Sequence, residues 1–94
     1  MPIINWTTAA RSDLRRIDEY LSREATGEVA LKVLSAIRSK ATMLESFPSA
    51  GPELGSEHRY LGVTGTAYVI VYRHQRGRID VLRIRHNRED WRPE

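Results

Sequence analysis

The sequence has no cysteine, which excludes a disulfide scaffold, a zinc site with cysteine ligands and a thiol nucleophile. It also has no long hydrophobic run, because the longest apolar segment, residues 67–72, is far too short to cross a bilayer. The first residues, Met1, Pro2 and Ile3, are typical of a strand rather than of a signal peptide. We therefore expect a cytoplasmic protein that has no membrane partner.

Lysine is scarce, and the positive charge lies mostly towards the C-terminus. Lys32 and Lys40 are the only lysines among 15 basic residues, and the formal net charge is +3. Up to Glu57 the chain has seven basic and eight acidic residues, whereas from His58 onward it has eight arginines and four acidic residues. Because guanidinium binds phosphate and carboxylate in a planar, bidentate manner, this asymmetry favours an anionic partner. An ordinary solvated surface is the alternative.

The 94 residues suffice for one domain, and we expect residues 1–94 to form it. Apolar residues make up 40% and charged residues 29%, a balance typical of a globular chain rather than a disordered one. His58 and His74 lie in predicted turns without a short His/Asp spacing, and cysteine is absent. We therefore expect neither a metal site nor any other cofactor.

The first half of the sequence has the pattern of one strand and two helices. Ile3–Trp6 is predicted to be the strand, and Thr7 or Thr8 can cap the helix after it. Two apolar stripes follow at helical spacing, namely Ala10, Leu14, Ile17 and Leu21, and then Ala30, Leu34, Ile37, Ala41 and Leu44. Because Pro48 disfavours helix in the residue before it, residues 8–46 are predicted to form an antiparallel helix hairpin.

The second half is predicted to contain three strands separated by tight turns. These strands are residues 59–63, 67–73 and 79–86, and the second is the most apolar and so the most central. The order of strand, helix, helix and three strands indicates an α+β domain. We expect an N-terminal strand, an antiparallel helix hairpin and a three-stranded antiparallel meander in one small antiparallel sheet, with both helices on one face.

Alternation of side chains assigns the residues of the last predicted strand to two faces. Leu82 and Ile84 are expected to meet the helices. The open face, which lies away from the helices, would carry Ile79, Val81, Arg83 and Arg85. Arg83 and Arg85 are therefore a candidate site for an anionic partner.

Three further residues are candidates for binding, and Arg59, Arg83 and Arg85 each have a structural alternative. Arg59 joins the site if its strand presents the same face, and Arg88 and Trp91 lie in the C-terminal tail with His86. An exposed tryptophan beside arginine is a frequent interface anchor, although a lid over the end of the sheet is the alternative for Trp91. Arg83 and Arg85 could instead pair with an acidic neighbour, Asp80 or Glu89. The alternative for Arg59 is an ion pair with Glu57 or Asp90.

Several segments together resemble the RelE/ParE superfamily of bacterial type II toxins. Ile4-Asn5-Trp6 with the stripe after it is similar to the family's first strand and helix, and residues 47–51 are similar to its post-helical turn. Residues 59–61, 68–72 and 81–86 are similar to its last three strands. The segment His86-Asn87-Arg88-Glu89-Asp90-Trp91 resembles the tail of the ParE side, so the chain is identified as a member of the ParE-like branch.

The resemblance implies a toxin that is kept inactive by a cognate, ParD-like antitoxin protein. The C-terminal segment of that antitoxin is expected to wrap over the toxin. ParE-like members resemble one another in inhibiting growth through DNA gyrase, and RelE-like members in cutting mRNA on the ribosome. Direct nucleic-acid binding is then expected to be weak or to occur through the antitoxin complex. Apolar residues outside the core stripes are candidates for the antitoxin groove, namely Val29, Leu31, Met43 and Val63.

Cutting RNA would require a base, an acid and cations for the phosphate. His86 could supply one proton-transfer group, and the cations could come from Arg59, Arg83 and Arg85. RelE-like enzymes typically add lysines before the second strand and a tyrosine or histidine pair near the C-terminus. Here residues 49–58 contain no lysine, no tyrosine follows Tyr72, and the only other candidate bases are connector carboxylates, Glu53 and Glu57.

We therefore predict a toxin that binds gyrase without catalysis. The first alternative is a ribosome-dependent mRNA endonuclease. The second is a degenerate member that only binds its antitoxin and contributes to operon repression.

Overall fold

The computed structural model describes residues 2–55 and 57–89, which form an α+β fold with one sheet. The elements in chain order are β1 Ile3–Trp6, α1 Thr8–Glu24, α2 Gly27–Met43, β2 Glu53–Gly55, β3 His58–Gly62, β4 Tyr68–Gln75 and β5 Arg78–His86. The predicted order of elements is confirmed. β2 is an addition that the sequence did not indicate, because it has three residues and ends at a glycine with positive φ.

Threonine side chains begin both helices. The Thr7 hydroxyl accepts a hydrogen bond from the Ala10 N–H (3.2 Å), and the Thr26 hydroxyl accepts one from the Val29 N–H (3.0 Å). These caps satisfy N–H groups that the first turn of a helix leaves unpaired. The predicted hairpin is therefore present, although α2 ends at Met43 and residues 44–46 form turns.

The five strands lie in the order β1-β5-β4-β3-β2. β4 pairs antiparallel with both β3 and β5, which confirms the predicted meander. The expectation of a wholly antiparallel sheet is wrong for β1, which runs parallel to β5. β1 pairs only with residues 78–81, because the chain turns into α1 directly after Trp6. The rest of β5 is left with a free edge.

A β-bulge at Leu82 interrupts the alternation in β5. Val81 pairs with Tyr72 whereas Arg83 pairs with Val71, so Leu82 is an extra residue between the two pairs. The extra residue shifts the alternation by one position. Side chains after the bulge therefore lie on the face opposite to the one expected by counting from the residues before it.

The bulge changes which residues of β5 meet the helices. Ile79, Val81 and Ile84 are all buried in the core, so the prediction that Ile79 and Val81 lie on the open face is wrong. Leu82, predicted to meet the helices, is only half-buried and lies outside the core cluster. Ile84 does meet the helices, as predicted.

Both helices pack on one face of the sheet. Their apolar stripes meet the inward side chains of β4 and β5 in one cluster, and Trp6 and Tyr68 pack against its rim. The largest fully buried side chains in this cluster are Tyr72, Ile37, Leu44, Ile70, Ile79 and Val81. The core thus fixes the position of α1 relative to β5, and these two elements carry most of the candidate site.

Tyr72 anchors the connector between α2 and β3. Its buried hydroxyl donates a hydrogen bond to the Pro48 carbonyl (2.9 Å) and accepts one from the Gly51 N–H (3.0 Å). Gly51 itself must lack a side chain, because a β-carbon there would lie 2.1 Å from the carbonyl oxygen of Tyr60. The connector is therefore held tightly against β3 and β4.

One buried carboxylate joins α1 to the free edge of β5. Asp13 is 5% exposed and accepts hydrogen bonds from Nε (2.8 Å) and Nη2 (2.9 Å) of Arg83 and from the Ile84 N–H (2.9 Å). Arg16 Nη2 adds a fourth at 2.6 Å. Burial by itself would raise the pKa of the Asp13 carboxyl, but the hydrogen bonds outweigh it and hold the pKa below its ordinary value.

A second buried carboxylate, Asp80, lies between β1 and β4. The hydrogen bond from Asn5 (3.0 Å) lowers the pKa of Asp80, burial opposes this, and contacts with Arg78 and Arg73 lower the pKa further. Asp80 is therefore paired with Arg78 and Arg73 rather than with either arginine of the candidate anion site.

We expect Asp13→Asn to lower the free energy of unfolding by about 2–3 kcal/mol near neutral pH, because an amide loses the charge-assisted acceptance of these donors. Folding lowers the pKa of Asp13, so its stabilisation is present above the ordinary aspartate pKa of about 3.9 and is lost as the pH falls through the lower folded value. The variant should therefore lose less stability than the wild type on acidification below about pH 4.

Urea unfolding followed by circular dichroism at a series of pH values checks this. Asp18→Asn is the matched control, because Asp18 is exposed on the same helix. An acid response of Asp13→Asn equal to that of the wild type would contradict the assignment.

We expect Tyr72→Phe to cost about 1–3 kcal/mol of folding free energy, because it removes both connector hydrogen bonds while keeping the buried ring. The measurement is the urea midpoint and slope. Tyr20→Phe, at a half-exposed tyrosine, is the control and should change little. Equal midpoints for Tyr72→Phe and the wild type would disprove the anchoring role.

Candidate functional site

A cleft of about 380 Å³ lies beside the free edge of β5. Helix α1 forms one wall, and the residues after the β5 bulge with the turn that follows form another. The lining residues are Asp13, Arg16, Ile17, Tyr20, Tyr68, Arg83, Ile84, Arg85, His86 and Glu89. Three of the predicted candidates, Arg83, Arg85 and His86, are therefore brought together, and five polar neighbours join them.

Arg83 has a structural role in the wall of the cleft. It pairs with Val71 across the sheet, which places it on the face opposite Ile84, as predicted. Its guanidinium nevertheless reaches the Asp13 carboxylate at the strand edge, so neither Asp80 nor Glu89 is its main partner. The contact with Asp13 also raises the pKa of Arg83 above its ordinary value, against the effect of burial.

Arg85 is held much less firmly than Arg83. It pairs with Val69 across the sheet, and its Nη2 lies 3.5 Å from Oε2 of Glu89. The other carboxylate oxygen of Glu89 accepts a hydrogen bond from the His86 N–H at 2.8 Å. The predicted alternative for Arg85, an ion pair with Glu89, is thus present.

His86 stands beside Tyr68, its partner across the sheet, with the ring centroids 5.4 Å apart and the ring planes at 83°. Nδ1 of His86 accepts a hydrogen bond from the Arg88 N–H (3.1 Å), so in this arrangement that nitrogen carries no proton and the neutral ring has its proton on Nε2. The hydrogen bond orients the imidazole and commits one of its two nitrogens to the turn after β5.

Two tyrosines add polar groups that sequence reasoning did not place in the site. Burial raises the pKa of the Tyr68 hydroxyl, and nearby Tyr20 and Glu89 raise it further, so this hydroxyl stays protonated at neutral pH. Tyr20 is half-exposed on α1. Sequence spacing carried no signal for either residue, because both become neighbours of His86 only through the packing of α1 and β4 on β5.

Arg59 does not join this cleft. It pairs with Tyr72 and shares the helix-facing side of the sheet, so the condition for grouping it with Arg83 and Arg85 is not met. Its guanidinium donates to the Gly51 carbonyl (2.7 Å) and contacts the Glu53 carboxylate (3.2 Å). Arg59 thus binds the connector, and its acidic partner is Glu53 rather than the predicted Glu57; the other predicted partner, Asp90, lies outside the described residues.

The remaining candidates lie in the tail and on α2. Arg88 is exposed, and its N–H group binds His86; Trp91 lies outside the described residues.

Of the residues predicted for the antitoxin groove, Val29 and Leu31 are exposed on α2, at 40% and 67%, as such a groove would require. Met43 is half-buried and lines an apolar depression with Phe47 and Pro48. Val63 is wrongly assigned, because it is 3% exposed and belongs to the core.

Within residues 2–55 and 57–89, no cluster of three or more histidine and acidic side chains is arranged to hold a metal ion. In the same part of the chain, neither helix is long and apolar enough to span a membrane. What the cleft offers chemically is three guanidinium groups, two carboxylates, one imidazole and two phenols around an edge of backbone, and the excess of guanidinium over carboxylate favours an anionic ligand.

The family model described as the ParE toxin of the type II toxin–antitoxin system parDE matches residues 4–91. Among solved structures, the chain is similar to one titled "Chromosomal ParDE TA system from P. aeruginosa", with 26% sequence identity and a TM-score of 0.82. The alignment covers 92% of this chain and 96% of that chain. No curated protein matches. The match over almost the whole chain, together with the fold, establishes that the chain belongs to the ParE toxin family of type II toxin–antitoxin systems.

Proposed function

We propose that the protein inhibits growth by binding DNA gyrase, without catalysis, and that a ParD-like antitoxin neutralises it in the cytoplasm. The observation that carries this proposal is the ParE family match over residues 4–91. The cleft adds physical support, because its three guanidinium groups outnumber its two carboxylates and so favour an acidic protein surface.

The proposed antitoxin contact is supported by apolar surface that the fold leaves uncovered. Leu31 and Val29 project from α2, and Phe47, 61% exposed, extends this surface past the end of the helix. A segment that folds on binding can cover such a surface with its apolar side chains. The similar solved structure is titled as a ParDE system, which is consistent with an antitoxin partner for this chain as well.

The proposed absence of catalysis is supported by the way the proton-carrying groups of the cleft are bound. Nδ1 of His86 accepts the Arg88 N–H, and the Glu89 carboxylate bridges the His86 N–H and Arg85. The raised pKa of Tyr68 keeps that phenol from acting as a base near neutral pH. Nδ1 of His86 and both oxygens of Glu89 are thus engaged by donors of the protein itself, which disfavours their use as a base.

We expect Arg85→Gln to weaken inhibition of gyrase supercoiling by roughly tenfold or more, because Arg85 is the cleft guanidinium with the weakest internal partner. The measurement is the toxin concentration that halves supercoiling in vitro, with growth after induction as the cellular readout. Arg23→Gln is the charge-matched control, since Arg23 is exposed on α1 and does not line the cleft. Unchanged inhibition by Arg85→Gln would count against this use of the cleft.

A ribosome-dependent mRNA endonuclease is the second candidate, and the contact of His86 with Tyr68 beside Arg85 favours it. We expect the purified toxin to leave transcripts intact in translating extracts while it blocks supercoiling. Cleavage that disappears in His86→Ala would instead establish the nuclease. A toxin that affects neither process and still binds its antitoxin would fit a role in operon repression alone.

A further inference from the structure

The Glu89 carboxylate occupies a position at the edge of β5 that is built to bind a carboxylate. Its two oxygens are held by two different donors, the backbone N–H of His86 (2.8 Å) and Nη2 of Arg85 (3.5 Å). A backbone N–H and a guanidinium N–H can each donate to one of the two oxygens of a carboxylate. Glu89 therefore behaves as an internal ligand.

We propose that this position is a binding site for an acidic side chain of the antitoxin, and that Glu89 fills it in the isolated protein. The antitoxin's carboxylate replaces that of Glu89 and takes over both donors. That the partner is the antitoxin rests on the proposed function. That another carboxylate can replace the one of Glu89 does not depend on the proposed function.

The Glu89 contact has the features of a replaceable one. Its side chain is 45% exposed, its partner Arg85 is 27% exposed, and the ion pair is long. By contrast, Asp13 of α1, which binds the same edge of β5, is 5% exposed and accepts hydrogen bonds from Arg83 at 2.8 Å and 2.9 Å. An exposed ion pair contributes little to stability, so an incoming carboxylate has little to displace.

The surroundings favour an acidic side chain on a peptide over a free anion. The charged side chains lining the cleft are three arginines and two carboxylates, so removing Glu89 leaves an excess of two positive charges. Tyr20 of α1, 51% exposed, lines the same cleft and offers apolar surface to the stem of a glutamate or to its neighbours in a peptide. A small inorganic anion would leave that surface exposed.

The test is an amide-proton NMR titration of the full chain with capped glutamate, N-acetyl-glutamate amide, followed at the His86 N–H. Capped glutamine is the matched probe, and inorganic phosphate is the second anion. In Glu89→Ala, we expect capped glutamate to bind roughly two- to fivefold more tightly than in the wild type, because a weak internal competitor is gone. Glu89→Gln, which keeps an oxygen for the His86 N–H but removes the charge, should give a smaller gain.

Arg85→Gln should abolish the binding of capped glutamate, and Arg23→Gln should leave it unchanged. Equal affinity of the wild type and Glu89→Ala, or equal binding of capped glutamine, would overturn the proposal. Saturable binding of phosphate without binding of glutamate would also overturn it. Thermal unfolding of each variant confirms that the fold is kept. Because neither gyrase nor antitoxin enters the titration, its failure is separable from failure of the proposed function.

Discussion

The buried carboxylate of Asp13 is the contact on which the geometry of the cleft depends. Its hydrogen bonds reach Arg16 within its own helix and both Arg83 and Ile84 in β5, just after the bulge. β1 ends before this part of β5, so here the strand is held against α1 by the apolar core and, at its edge, by the hydrogen bonds of Asp13. Asp13 thus ties the helical wall to the strand wall at the cleft and neutralises part of the positive charge of Arg16 and Arg83 there.

The same edge of β5 is closed to strand addition. Two of its backbone N–H groups, those of Ile84 and His86, already donate to carboxylates of Asp13 and Glu89. An unpaired strand edge is a template for another strand, and carboxylates on its donors block that route. A partner that approaches here must therefore bind through side chains in the cleft, unless it displaces Glu89.

The sequence was sufficient for the order of the elements because apolar periodicity is local, and it failed where a single residue changed the register. The bulge at Leu82 is a feature of how β5 pairs with β4, which the sequence of β5 alone does not define. Strict alternation therefore placed Ile79 and Val81 on the wrong face. A signal for Asp13 did exist: it lies three residues after Ala10 and four before Ile17, on the buried side of the helix. A carboxylate at such a position implies a buried cationic partner, although the sequence does not identify which arginine provides it.

The two arginine–carboxylate pairs on β5 illustrate why residue type alone does not identify a binding residue. Arg83 and Arg85 are adjacent on one face and identical in chemistry, yet Arg83 contacts a 5% exposed carboxylate and Arg85 a 45% exposed one. Removing the first would leave the buried Asp13 carboxylate with Arg16 and one backbone N–H as its only donors among the described residues, whereas the second pair can open at little cost. Selection for folding is therefore expected to act on Arg83, and selection for a partner can act on Arg85. The difference originates in the tertiary position of Asp13 and Glu89, which only the folded chain defines.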